Sequence, residues 1–269
     1  MSFEVIILGL VQGLTEFLPV SSSGHLALIQ IFLGTEMPPL SYDIVLHVAT
    51  MCATLIFFMG DIYSLLCEWL KGFVIANYRR SSGWSTGWAV VLGTVITGII
   101  GIAMKDFAEI ALQNSLMVGL GLVFTGIVLI FGSFMRVGLG NVRVTDGIFV
   151  GIAQGIAVLP GVSRSGITIM SGILTGLSKE EAFRFSFLLS IPAILGAILL
   201  QAAQIGGFYR FVETLPNGWY IGASVAFISG FAALALLKRI VIASKWWVFG
   251  VYCLVLGGTD IIITYLGAW

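Results

Sequence analysis

One stretch of this chain occurs twice, and its recurrence constrains the fold more than any other feature. The first copy is Gly9-Leu-Val-Gln-Gly-Leu-Thr-Glu-Phe-Leu-Pro-Val-Ser-Ser-Ser-Gly24-His25, and the second is Gly151-Ile-Ala-Gln-Gly-Ile-Ala-Val-Leu-Pro-Gly-Val-Ser-Arg-Ser-Gly166. Gly9 and Gly151 set an offset of 142 residues, and the same offset relates Gln12 to Gln154, Ser21 to Ser163, Ser23 to Ser165 and Gly24 to Gly166. Each copy is an apolar run interrupted near its middle by Pro, Ser and Gly, with polar side chains gathered at the interruption. A bilayer tolerates such a break only where protein or a water-filled cavity satisfies the freed backbone groups. Paired breaks at corresponding positions of two halves therefore point to a binding site.

The membrane is implied by composition. Of 269 residues, 58% are hydrophobic and 10% charged, and the mean hydropathy is +1.07, which marks a polytopic all-α integral membrane protein. The formal net charge is zero and no long basic run occurs, so nucleic acid is excluded as a partner. Cys52, Cys67 and Cys253 are scattered among apolar segments without C-x-x-C spacing, which argues against a zinc site or a disulfide framework. The N-terminus lacks a basic n-region and a small-residue cleavage site, so its apolar run is expected to be retained.

Residues 3–18 and 24–34 are apolar but separated by Pro19 and the Ser21–Gly24 run, each too short to cross a core that takes about 20 residues. They read as a re-entrant helical hairpin. Full-length runs follow at about 41–59, 87–104 and 116–134, then a second broken pair at 148–159 and 167–177, then runs at about 184–203, 219–237 and 246–266. The expected architecture is a single membrane domain, 1–269, built from six transmembrane helices and two re-entrant hairpins in repeats of about 1–135 and 143–269. An odd number of spans per repeat inverts the second copy relative to the first.

Positive charge orients the chain. Lys71, Arg79, Arg80, Arg136, Arg143, Lys179, Arg184, Lys238, Arg239 and Lys245 fall in loops on one side, at 60–86, 135–147, 178–184 and 238–245. Only Lys105 and Arg210 fall on the other, with Arg164 left at the second break. The basic side is expected to be cytoplasmic, with both termini extracytoplasmic. Half-helices of about 10–15 residues, rising ~1.5 Å per residue, bring both hairpin tips to the middle of the bilayer. The segment Lys71–Trp88 reads as a cytoplasmic loop, with Tyr78, Trp84 and Trp88 as interfacial anchors and Arg79-Arg80 as solvated topology charges.

Gln12 and Glu16 share a helix face by their spacing of four. A carboxylate at mid-membrane is expensive enough to be a functional candidate by default, which outweighs the plainer alternative that it caps the next turn or pairs with Arg164. Ser22 and His25, three apart at the start of the next half-helix, bring an imidazole toward a hydroxyl for nucleophile activation or proton transfer. Ser21, Ser22 and Ser23 also serve as caps for orphan N–H groups before Gly24. In the second break, Ser163, Ser165 and Gly166 surround Arg164, whose guanidinium suits phosphate and keeps its charge when desolvated. Helix N-termini at Gly24 and Gly166 add free N–H donors. One carboxylate among anion-binding groups suggests a divalent cation, Mg²⁺ or Ca²⁺, bridging Glu16 to phosphate oxygens. Asp43 and His47, four apart on the next span, and Asp260 in the last are secondary candidates, with interfacial placement or a buried ion pair as the plainer account of the aspartates.

At Gln12–His25 and Pro160–Gly166 the chain resembles the undecaprenyl-diphosphate phosphatase family of the bacitracin-resistance type, and the resemblance runs nearly end to end through Ser186-Phe-Leu-Leu-Ser-Ile-Pro192. It implies metal-dependent hydrolysis of a polyprenyl diphosphate to the monophosphate and inorganic phosphate, in the plasma membrane, at a site opening to the outer face. By the family's motifs, Gln12 and Glu16 fall on the acidic pair, Ser22 and His25 on the motif serine and histidine, and Pro160–Gly166 on the arginine motif. Gln12 replaces an acid used by other members, leaving one charge fewer for metal, and His47 stands where some members carry Gln. Catalytic expectations are therefore Glu16, Ser22, His25 and Arg164. Metal binding is expected from Glu16 and Gln12, and substrate binding from Gln12, Ser21, Ser23, Gly24, Ser163, Arg164, Ser165 and Gly166. The partners are the lipid substrate and the membrane, with a homodimer compatible with such a chain. A secondary transporter or flippase for an anionic lipid or small anion is the rival reading, since inverted repeats with central breaks are transporter anatomy.

Overall fold

A computed structural model describes residues 3–33 and 40–266; side chains of 30–33 are not described. The described residues form twelve α-helices and one 3₁₀ turn, with no strand among them. The helices are α1 (Phe3–Phe17), α2 (Ser22–Leu33), α3 (Leu40–Phe57), α4 (Met59–Val74), α5 (Ser82–Leu112), α6 (Ser115–Ser133), α7 (Asp146–Ile156), α8 (Arg164–Leu174), α9 (Lys179–Gln204), α10 (Phe208–Glu213), α11 (Trp219–Ile242) and α12 (Trp246–Tyr265). Six of them, α3, α5, α6, α9, α11 and α12, are long and apolar enough to cross a membrane. Both interrupted stretches are broken where expected, α1 from α2 and α7 from α8.

Two expectations need correcting. The region expected to be a loop over 60–86 contains α4, followed by a short 3₁₀ turn at Ala76–Arg80, and α5 begins at Ser82 rather than near 87. α4 folds back on α5 because the polar residues of this stretch have partners there. Glu68 Oε2 accepts from Gly83 N at 2.9 Å, and Ser81 caps α5 by accepting from Trp84 N at 3.2 Å. Trp69, Phe73, Trp84 and Trp88 pack edge to face, with Trp69 and Trp88 centroids 5.7 Å apart, so these tryptophans hold a helix pair together. Likewise the basic loop expected at 178–184 is the first turn of α9. Ser178 accepts from Glu181 N at 3.2 Å there, and Arg184 pairs with Asp61 of α4 at 2.7 Å. In both places the polar residues belong to helices and find their partners on neighbouring elements.

The packing of the two halves corresponds. α1 crosses α11 where a Cβ on Gly9 would overlap the Gly222 backbone, and α7 crosses α5 where a Cβ on Gly151 would overlap Gly93. Likewise α3 packs on α11 and α9 on α5, while α6 meets α12 and α3 meets α9. Phe17, Phe58, Phe183 and Phe187 pack together in the core, with Phe17 and Phe187 centroids 5.9 Å apart, and Phe17 is the last residue of α1 before the first break.

Candidate active site

The two breaks carry the same cap. Gly24 N donates to Ser21 Oγ at 3.3 Å and Gly166 N to Ser163 Oγ at 3.2 Å, and in each break the first hydroxyl lies 3.3 Å from the second, Ser21 to Ser23 and Ser163 to Ser165. Of the three serines expected as caps only Ser21 accepts a helix N–H, while Ser22 reaches Glu16 instead; Ser163 is the matching cap of α8. The tips also touch each other. A Cβ on Gly24 would lie 3.2 Å from Gly161 Cα, and one on Gly166 would lie 3.2 Å from Pro19 Cβ, so each glycine of one break faces the turn of the other.

Backbone groups freed by the breaks are met from α6 and α12. Thr125 of α6 donates its hydroxyl to Gly161 O at 3.0 Å and accepts from Ser163 N at 2.9 Å. Cys253 of α12 lies with Sγ 3.7 Å from Pro19 O, and its neighbour Tyr252 reaches His25. Gly161 takes φ +80°, with its would-be Cβ against Val118 O; Ser21 takes φ +67°, a conformation costly for a residue with a Cβ and held by its surroundings.

Glu16 is the hub. Its Oε2 accepts from Gln12 Nε2 at 3.0 Å and from Ser22 Oγ at 2.8 Å, and its Oε1 accepts from Arg164 Nη2. His47 Nε2 stands 4.0 Å from Glu16 Oε2, while its Nδ1 lies 2.9 Å from Asp43 O and 3.5 Å from Asp43 Oδ1. Asp43 and His47 thus extend the polar cluster, whereas Asp260 lies elsewhere, buried between α12 and α6 and accepting from Ser115 Oγ at 2.5 Å. Two buried polar atoms of the cluster have no protein partner among the described residues, Gln12 Oε1 and Arg164 Nη1.

The Ser22–His25 pair anticipated from spacing is not formed. His25 Nε2 is 2.7 Å from Tyr252 Oη, its Nδ1 is 2.8 Å from Ser21 O, and its ring stacks on Tyr252 with centroids 5.6 Å apart. One turn of helix separates the two residues, and the ring folds back along α2 onto its own first turn while Ser22 reaches the end of α1. Tyr252 had no signal in the sequence; a tyrosine in an apolar span looks like any other. Gly24, Ser165 and Gly166, expected at the substrate, do not line the cavity: the two glycine N–H groups are taken up by the Ser21 and Ser163 caps, and Ser165 Oγ lies against Ser163 Oγ.

Glu16, Ser21, Ser22, Ser23, His47, Ser163 and Arg164 line a cavity of about 310 Å³ that continues past Thr97 and Gln154 along Ala193, Ala197 and Gln201 of α9. Among the described residues no group of three or more His, Cys, Asp or Glu side chains is set to hold a metal ion. A cation shared with a phosphate needs fewer protein ligands, and one carboxylate beside a buried, unpartnered amide oxygen meets that requirement. The residues therefore fit a divalent cation held jointly with substrate.

A helical membrane protein with a carboxylate, a hydroxyl and a guanidinium enclosed where two broken helices meet is the class that fold and site define. Residues 5–259 match the family model for bacitracin resistance protein BacA, and the chain belongs to that family. It is similar to the undecaprenyl-diphosphatase of Syntrophotalea carbinolica, at 40% identity over 264 residues covering 96% of this chain and 97% of the relative. That of Methanosphaera stadtmanae is 38% identical over 279 residues, covering 97% of each, and that of Carboxydothermus hydrogenoformans 37% over 277, covering 99% and 98%.

Proposed function

We propose that this chain is a membrane phosphatase that hydrolyses an undecaprenyl-type diphosphate to the monophosphate and inorganic phosphate, and so recycles a lipid carrier. The observation that carries this reading is Glu16, bonded at once to a hydroxyl that can attack and to a guanidinium with a free arm, in a family whose relatives along the whole chain are named undecaprenyl-diphosphatases.

Arg164 holds the phosphate through Nη1 while Nη2 stays on Glu16, and the positive ends of the α2 and α8 dipoles favour its negative charge. Ser22 donates its proton toward Glu16 Oε2, which makes Glu16 the proton acceptor when the Ser22 hydroxyl, or a water in its place, attacks the terminal phosphorus and the P–O bond to the lipid monophosphate breaks; where Ser22 attacks, water then hydrolyses the phosphoserine to inorganic phosphate. His25 holds the Ser21 carbonyl and so keeps the strained turn that presents Ser22. A divalent cation bound by Glu16 and Gln12 would neutralise charge on the phosphate oxygens.

The repeated caps, the crossed tips and the corresponding helix pairs support an inverted repeat with two re-entrant hairpins. The ten-to-two bias of basic residues supports extracytoplasmic termini. The cavity runs from Glu16 toward Gln201, near the end of α9 opposite Lys179 and Arg184, which supports a site open to the outer face. Phosphate release from undecaprenyl diphosphate by the purified protein in detergent is the deciding experiment. No release with Mg²⁺ or Ca²⁺ present, together with lipid movement in vesicles, would replace hydrolysis by transport.

A further inference from the structure

One side chain lining the cavity carries a buried hydrogen-bond acceptor that the reaction outlined above does not use. Gln154, only 3% exposed, occupies in the second repeat the position of Gln12 in the first. Its Nε2 lies 3.3 Å from Thr97 Oγ1 and 3.4 Å from Leu189 O. Both partners can only accept: Leu189 offers a carbonyl, and the Thr97 hydroxyl already gives its proton to Gly151 O at 3.0 Å. Turning the amide over would set its oxygen against two acceptors, so the network fixes the orientation. Oε1 is thereby left without a protein partner among the described residues, on a side chain that lines the cavity shared with Arg164 and Ser22. In the first repeat the matching amide serves Glu16; in the second, Val158 stands at the corresponding position and offers it no carboxylate.

A cavity lined by a guanidinium and hydroxyls suits a tetrahedral oxyanion. An acceptor in the same cavity repels a bare oxyanion and matches one that carries a proton. We propose that Gln154 Oε1 accepts the P–OH of a protonated phosphate group, making this end of the cavity a hydrogen-phosphate subsite for the terminal phosphate of the substrate and for the released product. The inference rests on the phosphatase reading and deepens it. Phosphate keeps a proton throughout the neutral range and sulfate does not, so the subsite discriminates between two anions of nearly equal size and shape.

The test is the rise in thermal unfolding midpoint of the intact protein in detergent, titrated with inorganic phosphate or sodium sulfate at neutral pH and low millimolar concentration, below the range in which either salt acts by exclusion. The parent should bind phosphate about tenfold more tightly than sulfate, the worth of one hydrogen bond. Gln154→Met, close in volume but without the acceptor, should bring phosphate down to the level of sulfate; Gln154→Ala removes the same acceptor and stands in if the methionine variant does not fold. Equal stabilisation of the parent by both anions overturns the proposal, as does discrimination that survives loss of the amide. Phosphate release from undecaprenyl diphosphate is measured separately. Release without anion discrimination removes only this subsite, whereas discrimination without release removes the phosphatase reading.

Discussion

Arg164, at the start of α8, donates Nη2 to Oε1 of Glu16, near the end of α1, across 148 residues of sequence. The two groups come from opposite repeats, so the site exists only where the broken helices meet. The carboxylate offsets one arm of the guanidinium, and Nη1 is left without a protein partner among the described residues. An uncompensated charge here would be costly, and a fully compensated one would bind nothing.

Arg164→Lys should therefore lose activity although charge is kept. An ammonium can hold Glu16 or the phosphate, not both in one plane. Losing one charged hydrogen bond worth ~1.5–3 kcal/mol predicts a fall of about 10- to 100-fold in kcat/KM. Steady-state kinetics on a variant with parental elution from gel filtration check this, and near-parental kcat/KM would reduce Arg164 to a structural counter-ion.

Ser22→Ala tests the hydroxyl bonded to Glu16. If Ser22 attacks, or orders the water that does, kcat should drop by at least about 100-fold, the lower end for a positioned proton-transfer pair. KM should change little, because Arg164 remains. A variant with more than half the parental kcat would reduce Ser22 to a group that only holds Glu16 in place.

Much of this site was legible in the sequence, and the rest was hidden for identifiable reasons. The 142-residue offset disclosed both breaks, and polar residues inside apolar runs are so costly that Gln12, Glu16 and Arg164 declared themselves. The same argument failed at α4 and the start of α9, where Glu68, Asp61 and Arg184 looked like loop residues because their partners on other helices are invisible to a local reading. Spacing put Ser22 and His25 on adjacent positions but says nothing about which way a ring turns, and the group that turns it, Tyr252, lies 227 residues away. Gln154 carried a usable signal, since the repeat maps it onto Gln12; Thr97 and Gln201, which share its cavity, carried none.

Tyr252→Phe separates two roles for His25. The change removes the 2.7 Å hydrogen bond and keeps the ring stack. If His25 only holds the Ser21 carbonyl, kcat should fall less than about tenfold, one neutral hydrogen bond, and the pH-rate profile should keep its shape. If His25 exchanges protons with substrate, loss of the Tyr252 partner would displace one limb of that profile along the pH axis, and that displacement would overturn the positioning role.

Gly161→Ala should destabilise the second break. A side chain at φ +80° costs about 1–2 kcal/mol. Crowding its Cβ against Val118 O and Leu122 N adds about 1–3 kcal/mol. The thermal midpoint in detergent should fall, and Thr125→Val, which strips the partners from Gly161 O and Ser163 N, should lower it by a different route. An unchanged midpoint in both variants would mean that the turn is not held from α6.

The last prediction concerns metal. Chelation should abolish phosphate release, and Glu16→Gln should raise the Mg²⁺ or Ca²⁺ concentration needed for half-maximal rate, because the carboxylate that contacts Gln12, Ser22 and Arg164 is lost. The fall in rate at saturating metal measures the second role assigned to Glu16, that of proton acceptor, at about 10²- to 10⁴-fold. A lower rate with unchanged metal dependence would leave Glu16 as an acid–base group alone. Gln12→Glu approaches the same question from the other side. It adds a carboxylate where a buried amide oxygen is unpartnered, so apparent metal affinity should rise, but it also sets two carboxylates within reach of one another with Arg164 as their nearest cation. Without metal the variant should be less stable than the parent, and metal should restore the difference. A variant whose metal affinity falls, or whose thermal midpoint is indifferent to Mg²⁺ and Ca²⁺, would remove Gln12 from the metal site.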